Sequence, residues 1–123
     1  MRKRSGFLLI ELLVALAILA ILAPALIGML VVGTETLSRA RMHTVAVNLA
    51  RETMEYVRAD GYCNAVTESV VEVEGFPGYG REVEVSLVEI GEGIRVKEVR
   101  VTVNWNVSGQ AQDVALVTYQ AWR

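Results

Sequence analysis

One stretch of this chain restricts its fold more than any other. From Phe7 to Val32 every side chain is apolar except that of Glu11. The part beyond Glu11, Leu12 to Val32, is about 20 residues long and, at about 1.5 Å per helical residue, can cross a hydrocarbon layer of roughly 30 Å. After Gly33 the composition changes to that of an ordinary water-compatible domain with charges of both signs. The 123 residues suffice for one small domain. The chain therefore divides into a greasy N-terminal rod and a single globular remainder. Arg2, Lys3 and Arg4 stand before the apolar run. By the positive-inside preference they stay in the cytoplasm, and the domain after Gly33 faces the periplasm or the cell exterior.

Three readings compete for this segment. A secretory signal has a basic start, a short apolar stretch and a small-residue cleavage site beyond it. Ala15-Leu16-Ala17 imitates such a site, but the apolar run continues far past it. A plain membrane anchor fits the length and leaves Glu11 unexplained. An acidic side chain at the centre of a membrane helix costs on the order of 2.5–3.5 kcal/mol, and less near the end, where Glu11 sits. Its presence in so clean a stretch asks for a partner.

The third reading supplies one. The residues Arg2-Lys3-Arg4-Ser5-Gly6-Phe7-Leu8-Leu9-Ile10-Glu11-Leu12-Leu13-Val14-Ala15-Leu16 resemble the class III signal of type IV pilins and type II secretion pseudopilins. The resemblance implies that a prepilin peptidase cuts between Gly6 and Phe7 on the cytoplasmic side and methylates the new amine of Phe7. It also implies that Glu11 serves subunit assembly. Such cleavage precedes the apolar run, so the mature protein keeps its anchor. Leu8 departs from the threonine common at that place in the family. The physical logic agrees. Removing residues 1–6 creates a cation at Phe7 and deletes three competing ones, and a carboxylate in an apolar setting is tolerable when paired in this way.

Charge and residue content exclude several other functions. Twelve basic residues face 14 acids; without Arg2, Lys3 and Arg4 the balance is 9 − 14, or −5. A domain so acidic has no general attraction for nucleic acid. With one cysteine, Cys63, and one histidine, His43, the chain forms no internal disulfide and assembles no zinc site. It also lacks a Ser-His-Asp set, a phosphate-binding loop and a dinucleotide fingerprint. The expectation is a protein that is not an enzyme, with no catalytic residues, metal or cofactor. His43 is expected to be exposed, and the Cys63 thiol buried.

Along the rest of the chain, Pro24 and Gly28 are expected to interrupt the apolar helix, either as a tolerated kink or as a place of local melting. From Thr34 to Asp60 the helix continues as an amphipathic one. Met42, Val45, Leu49, Thr53 and Tyr56 form its apolar stripe, widened by Ala46, Met54 and Val57. Glu35 with Arg39, and Arg51 with Glu55, are spaced as i,i+4 pairs. Gly61 is a stop signal. Residues 61–80 read as a turn-rich connection in which a short strand around Val70–Val73 is open.

Beyond Gly80 the period becomes two. Val83, Val85 and Leu87 alternate with Glu82, Glu84 and Ser86, and Gly91-Glu92-Gly93 makes a hairpin turn. Ile94 and Val96 then fall on one parity, and Val99, Val101, Val103 and Trp105 on the other. That slip predicts a β-bulge near Lys97–Glu98. A second turn at Ser108-Gly109-Gln110 leads to a last strand with Ala115, Val117 and Tyr119 on one side. The expected fold is α+β: a long N-terminal helix packed on a three-stranded antiparallel meander, with a leader at 1–6, a membrane and assembly helix at 7–33 and a globular domain at 34–123. Within that domain the helix covers 34–60, the connection 61–80 and the sheet 81–122. Helix first and meander second is also the plan of the pilin family.

Two further segments narrow the resemblance. Asn48-Leu49-Ala50-Arg51-Glu52-Thr53-Met54-Glu55-Tyr56-Val57-Arg58 is similar to the helix of I-type minor pseudopilins and V-type minor pilins. Val99-Arg100-Val101-Thr102-Val103-Asn104-Trp105 and Leu116-Val117-Thr118-Tyr119 resemble their last two strands. The resemblance implies a minor subunit that primes or caps a filament, held in the bacterial inner membrane and then at the filament tip. Its implied partners are prepilin peptidase, other pilins and an inner-membrane assembly platform driven by a cytoplasmic ATPase. A major pilin forming the filament body and a plain membrane-anchored interaction module are the alternatives.

Overall fold

The computed structural model describes residues 4–91 and 93–121. The first element, α1, runs Arg4–Asn64, and its contacts divide the chain into one compact unit ending at Ser38 and a second beginning at Arg39. In the first unit the helix has no tertiary support and follows from its leucine- and alanine-rich composition. The helix continues through Pro24 and Gly28, and the only residue of α1 with non-helical φ/ψ is Gly61. A proline inside a helix removes one backbone hydrogen bond and leaves the bonds on either side of it intact. Thr34 and Thr36 return their hydroxyls to the carbonyls of Val31 and Val32, each at 2.8 Å.

The second unit packs the later part of α1 on an antiparallel sheet. Four strands, and not three, make that sheet: β1 Glu68–Glu72, β2 Tyr79–Ile90, β3 Ile94–Val107 and β4 Gln110–Ala121, in the order β1-β2-β3-β4. The extra strand lies inside the segment read as a connection. It overlaps the short strand that the sequence leaves open around Val70–Val73, and its register with β2 shifts between Glu68 and Val71. The turn between β1 and β2 is held by Val73 N–H donating to Tyr79 O (2.9 Å) and Phe76 N–H to Val73 O (3.0 Å). The Ser108-Gly109 turn has positive φ at both residues, 51° and 82°, as the two-residue hairpin between β3 and β4 requires.

The core lies between Ala46, Leu49, Ala50 and Met54 of α1 and Val83, Val99, Val101, Val103 and Trp105 of the sheet. Alanine at 46 and 50 lets the helix backbone approach the valine rows closely. Val99, Val101 and Val103 are wholly buried, and each contributes on the order of 1.5–3 kcal/mol. Met42, Val45 and Val57 flank this core half-buried. Tyr56, expected in the stripe, is 64% exposed. Tyr79 stacks on Trp105 with ring centroids 6.2 Å apart, and the exposed His43 meets the same indole edge-on at 5.9 Å. Cys63 is exposed, contrary to expectation; it follows the break in the helix at Gly61 (φ 78°).

No bulge occurs at Lys97–Glu98. The pairing of β3 is unbroken from Ile94 to Val107 with β2 and from Val96 to Val107 with β4. Strict alternation therefore puts Lys97 on the helix side with Val99, and Val96 on the opposite side. The lysine has a task there. Its Nζ donates to the carbonyls of Tyr62 (2.6 Å) and Ala65 (3.1 Å) and lies 4.7 Å from the centre of the Tyr62 ring. Carbonyls at a helix end lack intrahelical partners, and a cation satisfies them well. The parity change in the sequence marks a charged side chain reaching across the end of the core.

The same alternation corrects the last strand. Val114, Leu116, Thr118 and Gln120 are its half-buried residues, whereas Ala115, Val117 and Tyr119 are exposed. Gln120 Nε2 donates to Val57 O at 3.2 Å and Arg58 donates to Thr118 Oγ1 at 3.1 Å, tying the helix to β4. On the outer face the Glu98 carboxylate, first as hydrogen-bond acceptor and then as a charge, raises the Tyr119 hydroxyl above its ordinary pKa, with Arg100 opposing.

Replacing Lys97 by methionine keeps the stem and removes the donor. Chemical denaturation of the full chain in detergent micelles should show a loss of about 1–3 kcal/mol, the cost of leaving such carbonyls without a partner. Ile94→Lys, at an exposed site, should change stability by less than about 0.5 kcal/mol. Equal and negligible effects would mean that Lys97 faces solvent, as a bulge would place it.

Candidate assembly site at the N-terminus

Gly6 and Phe7 lie within α1. Phe7 is 75% exposed, and Glu11, one helical turn further on, is exposed as well. Residues four apart on a helix share a face and are separated by about 6 Å along its axis. Phe7 and Glu11 thus lie one above the other. The junction Gly6–Phe7 comes immediately before this pair, and Arg2 and Lys3 lie outside the described residues.

Around Glu11 the surface is apolar on every side. Leu8, Leu9, Ile10, Leu12 and Leu13 each expose more than half of their area. The helix is long and apolar enough to cross a membrane, and none of its most apolar stretch is buried. So large an apolar surface needs lipid or other protein to cover it. Glu11 makes no ion pair or hydrogen bond among the described residues. A carboxylate here has water, an external cation or a neighbouring chain as its choice of partner. Under an apolar cover, water is removed from that choice.

Pro24 and Gly28 lie further along the same exposed stretch, and a side chain added at Gly28 would meet nothing within 4 Å. They form no site in the isolated chain. Among the described residues no group of three or more His, Cys, Asp or Glu side chains is placed to hold a metal ion. In the second unit a cleft of about 390 Å³ lies between α1 and the β1–β2 turn, where Glu52, Glu72, Glu74 and Arg81 meet Tyr56 and Phe76. Its charged groups are those of a solvated rim.

The sequence singles out Gly6, Phe7 and Glu11, and the structure adds no further polar side chain to the apolar stretch around them. What the sequence misses lies in the second unit. Lys97 is the clearest case. Its signal is a cation two residues before Val99, on the buried parity of a valine strand. Residues 1–23 match the family model described as the prokaryotic N-terminal methylation motif, the class III signal peptide of type IV pilins. No curated protein and no solved structure gives a match to this chain.

Proposed function

We propose that this chain is a minor subunit of a type IV pilus or a type II secretion-like filament, priming or capping assembly after its leader is removed. The observation that carries the proposal is the methylation motif over residues 1–23, together with a lone carboxylate at Glu11 in the apolar N-terminal stretch of α1, whose large side chains are exposed. Prepilin peptidase cleaves Gly6–Phe7 and methylates the Phe7 amine. The subunit waits in the inner membrane with the second unit in the periplasm, and an assembly platform moves it into the filament.

Glu11 is the assembly residue in this reading. The Phe7 amine of a neighbouring subunit meets the Glu11 carboxylate, and each charge offsets the desolvation cost of the other. That pairing sets the axial register between helices. Pro24 and Gly28 are where the helix would loosen when packed among its neighbours, since the backbone bond missing at Pro24 is already lost. The minor role draws its support from the helix segment 48–58 and the strand segments 99–105 and 116–119, which resemble I- and V-type minor subunits. A major pilin of the filament body is the alternative, and copy number in purified filaments separates the two.

Intact-mass analysis of membrane-extracted protein should show loss of residues 1–6 and a gain of one methyl group. A mass that includes Met1, in a host with active prepilin peptidase, would contradict the processing step. Gly6→Asp should retain the leader.

Glu11→Ala preserves the helix and makes it more apolar, so membrane insertion and leader cleavage should both survive. Incorporation should fall by about ten-fold or more, as expected where a buried charge loses its only partner. Comparing membrane and sheared-filament fractions reads this directly. A cleaved variant that assembles at wild-type levels would remove Glu11 from the mechanism.

A further inference from the structure

The two edges of the sheet are built differently, and only one of them is protected. β1 is a five-residue strand with a glutamate at each end and an irregularity between Glu68 and Val71, all features that discourage a further strand. β4 at the opposite edge has 12 residues, and its pairing to β3 is regular from end to end. It carries no proline or lysine, and Asp113 is its one charge.

We propose that the β4 edge is a docking site for an extended segment of a different protein chain, added as a fifth strand and bearing a carboxylate that meets Arg51. The two-residue turn at Ser108-Gly109 makes Val107 and Gln110 the hydrogen-bonded pair. In an antiparallel ladder every second residue then bonds inward. The even-numbered residues of β4 bond to β3, and the odd-numbered ones, Ala111 through Ala121, direct their N–H and C=O groups outward. No described backbone bond outside the strands uses those groups. Such a row is matched by another extended backbone.

Strand addition gains specificity when alternate side chains of the added strand find pockets. One such pocket is present. A groove of about 430 Å³ runs between α1 and β4, with Met54 and Leu116 giving it apolar surface and Arg51, Glu55 and Arg58 its charged lining. Arg58 is engaged with Glu55 at 3.4 Å and with Thr118. Glu55 therefore pairs one turn ahead and not with Arg51, whose guanidinium has no ion pair or hydrogen bond among the described residues. A free guanidinium beside an open edge fits a carboxylate on the helix-facing side of the incoming strand.

That charge also selects the occupant. A second copy would present its own β4, whose helix-facing residues are Val114, Leu116, Thr118 and Gln120, with no acid among them. The fitting partner is a chain whose exposed strand alternates apolar residues with one glutamate or aspartate on the same side. This inference rests on the second unit alone and holds whether or not the leader is processed.

The test uses the full chain in detergent micelles and a fluorescein-labelled peptide of alternating threonine and valine, with one glutamate replacing a central valine. Fluorescence polarisation should show saturable binding. N-methylation of alternate peptide amides should weaken it by about ten-fold or more, because backbone pairing is lost. Val117→Pro removes one outward N–H without touching the inward ladder and should act in the same direction. Arg51→Glu should weaken the glutamate peptide and strengthen the version carrying lysine there. The proposal is overturned if the unmodified peptide shows no saturable binding to the wild-type chain, if the N-methylated peptide binds equally well, or if Arg51→Glu changes nothing. Sedimentation that shows the wild-type chain as a dimer, dissociated by Val117→Pro, would assign the edge to a second copy and overturn it as well.

Discussion

A single carboxylate on an uncovered apolar helix is the constraint on which the N-terminal half of this molecule turns. Glu11 has hydrophobic side chains on both sides in sequence and solvent-facing hydrophobic neighbours along the helix. Removing water from such a surface is favourable for every residue except this one. A cover, whether lipid or a second helix, is therefore more favourable where it brings a cation to this carboxylate. In the proposed mechanism the cation is made from the chain itself. Cleavage before Phe7 exposes an amine one turn from Glu11 and removes the basic residues that would otherwise compete for it. Pairing between neighbours then converts a liability of the single chain into a register for the assembly.

The second unit obeys a different economy. A lone antiparallel meander cannot hide its apolar face, and here α1 covers it through small residues. Ala46 and Ala50 bring the helix close to Val99, Val101 and Val103, while Leu49 and Met54 fill the remaining space. The ends of this layer are closed by polar contacts. Tyr79 reaches the Met42 carbonyl with its hydroxyl at 3.4 Å, and Lys97 closes the other end through the carbonyls of Tyr62 and Ala65. Helix and sheet are thus fastened at both limits of the contact.

Much of this was legible in the sequence because its signals are local. The apolar run, its one acid and the glycine before Phe7 need no tertiary information. The same holds for Gly61, where the helix does break, and for Ser108-Gly109, where the hairpin turns. Signals that depend on neighbours misled. Val96 and Val99 differ in parity because both faces of β3 carry apolar residues, and a period-two reading took the change for a bulge. In β4 both parities are apolar, so the sequence offered no means of choosing Val114 and Leu116 over Val117 and Tyr119. β1 is exposed along its whole length and lacks the alternation that burial imposes. Tyr56 falls on the helical stripe by spacing but stays exposed.

Proximity between the processed amine of one subunit and Glu11 of the next is the claim on which this account most depends. It can be measured by treating assembled filaments with a hydrophobic carbodiimide, which joins a carboxylate to an adjacent amine with no spacer. Filaments grown from a mixture of isotopically light and heavy subunits distinguish links between chains from links within one. The account predicts a mixed light–heavy peptide in which the Phe7 nitrogen is amide-bonded to the Glu11 side chain. Filaments that cross-link elsewhere but never through that pair, or only within single chains, would contradict it.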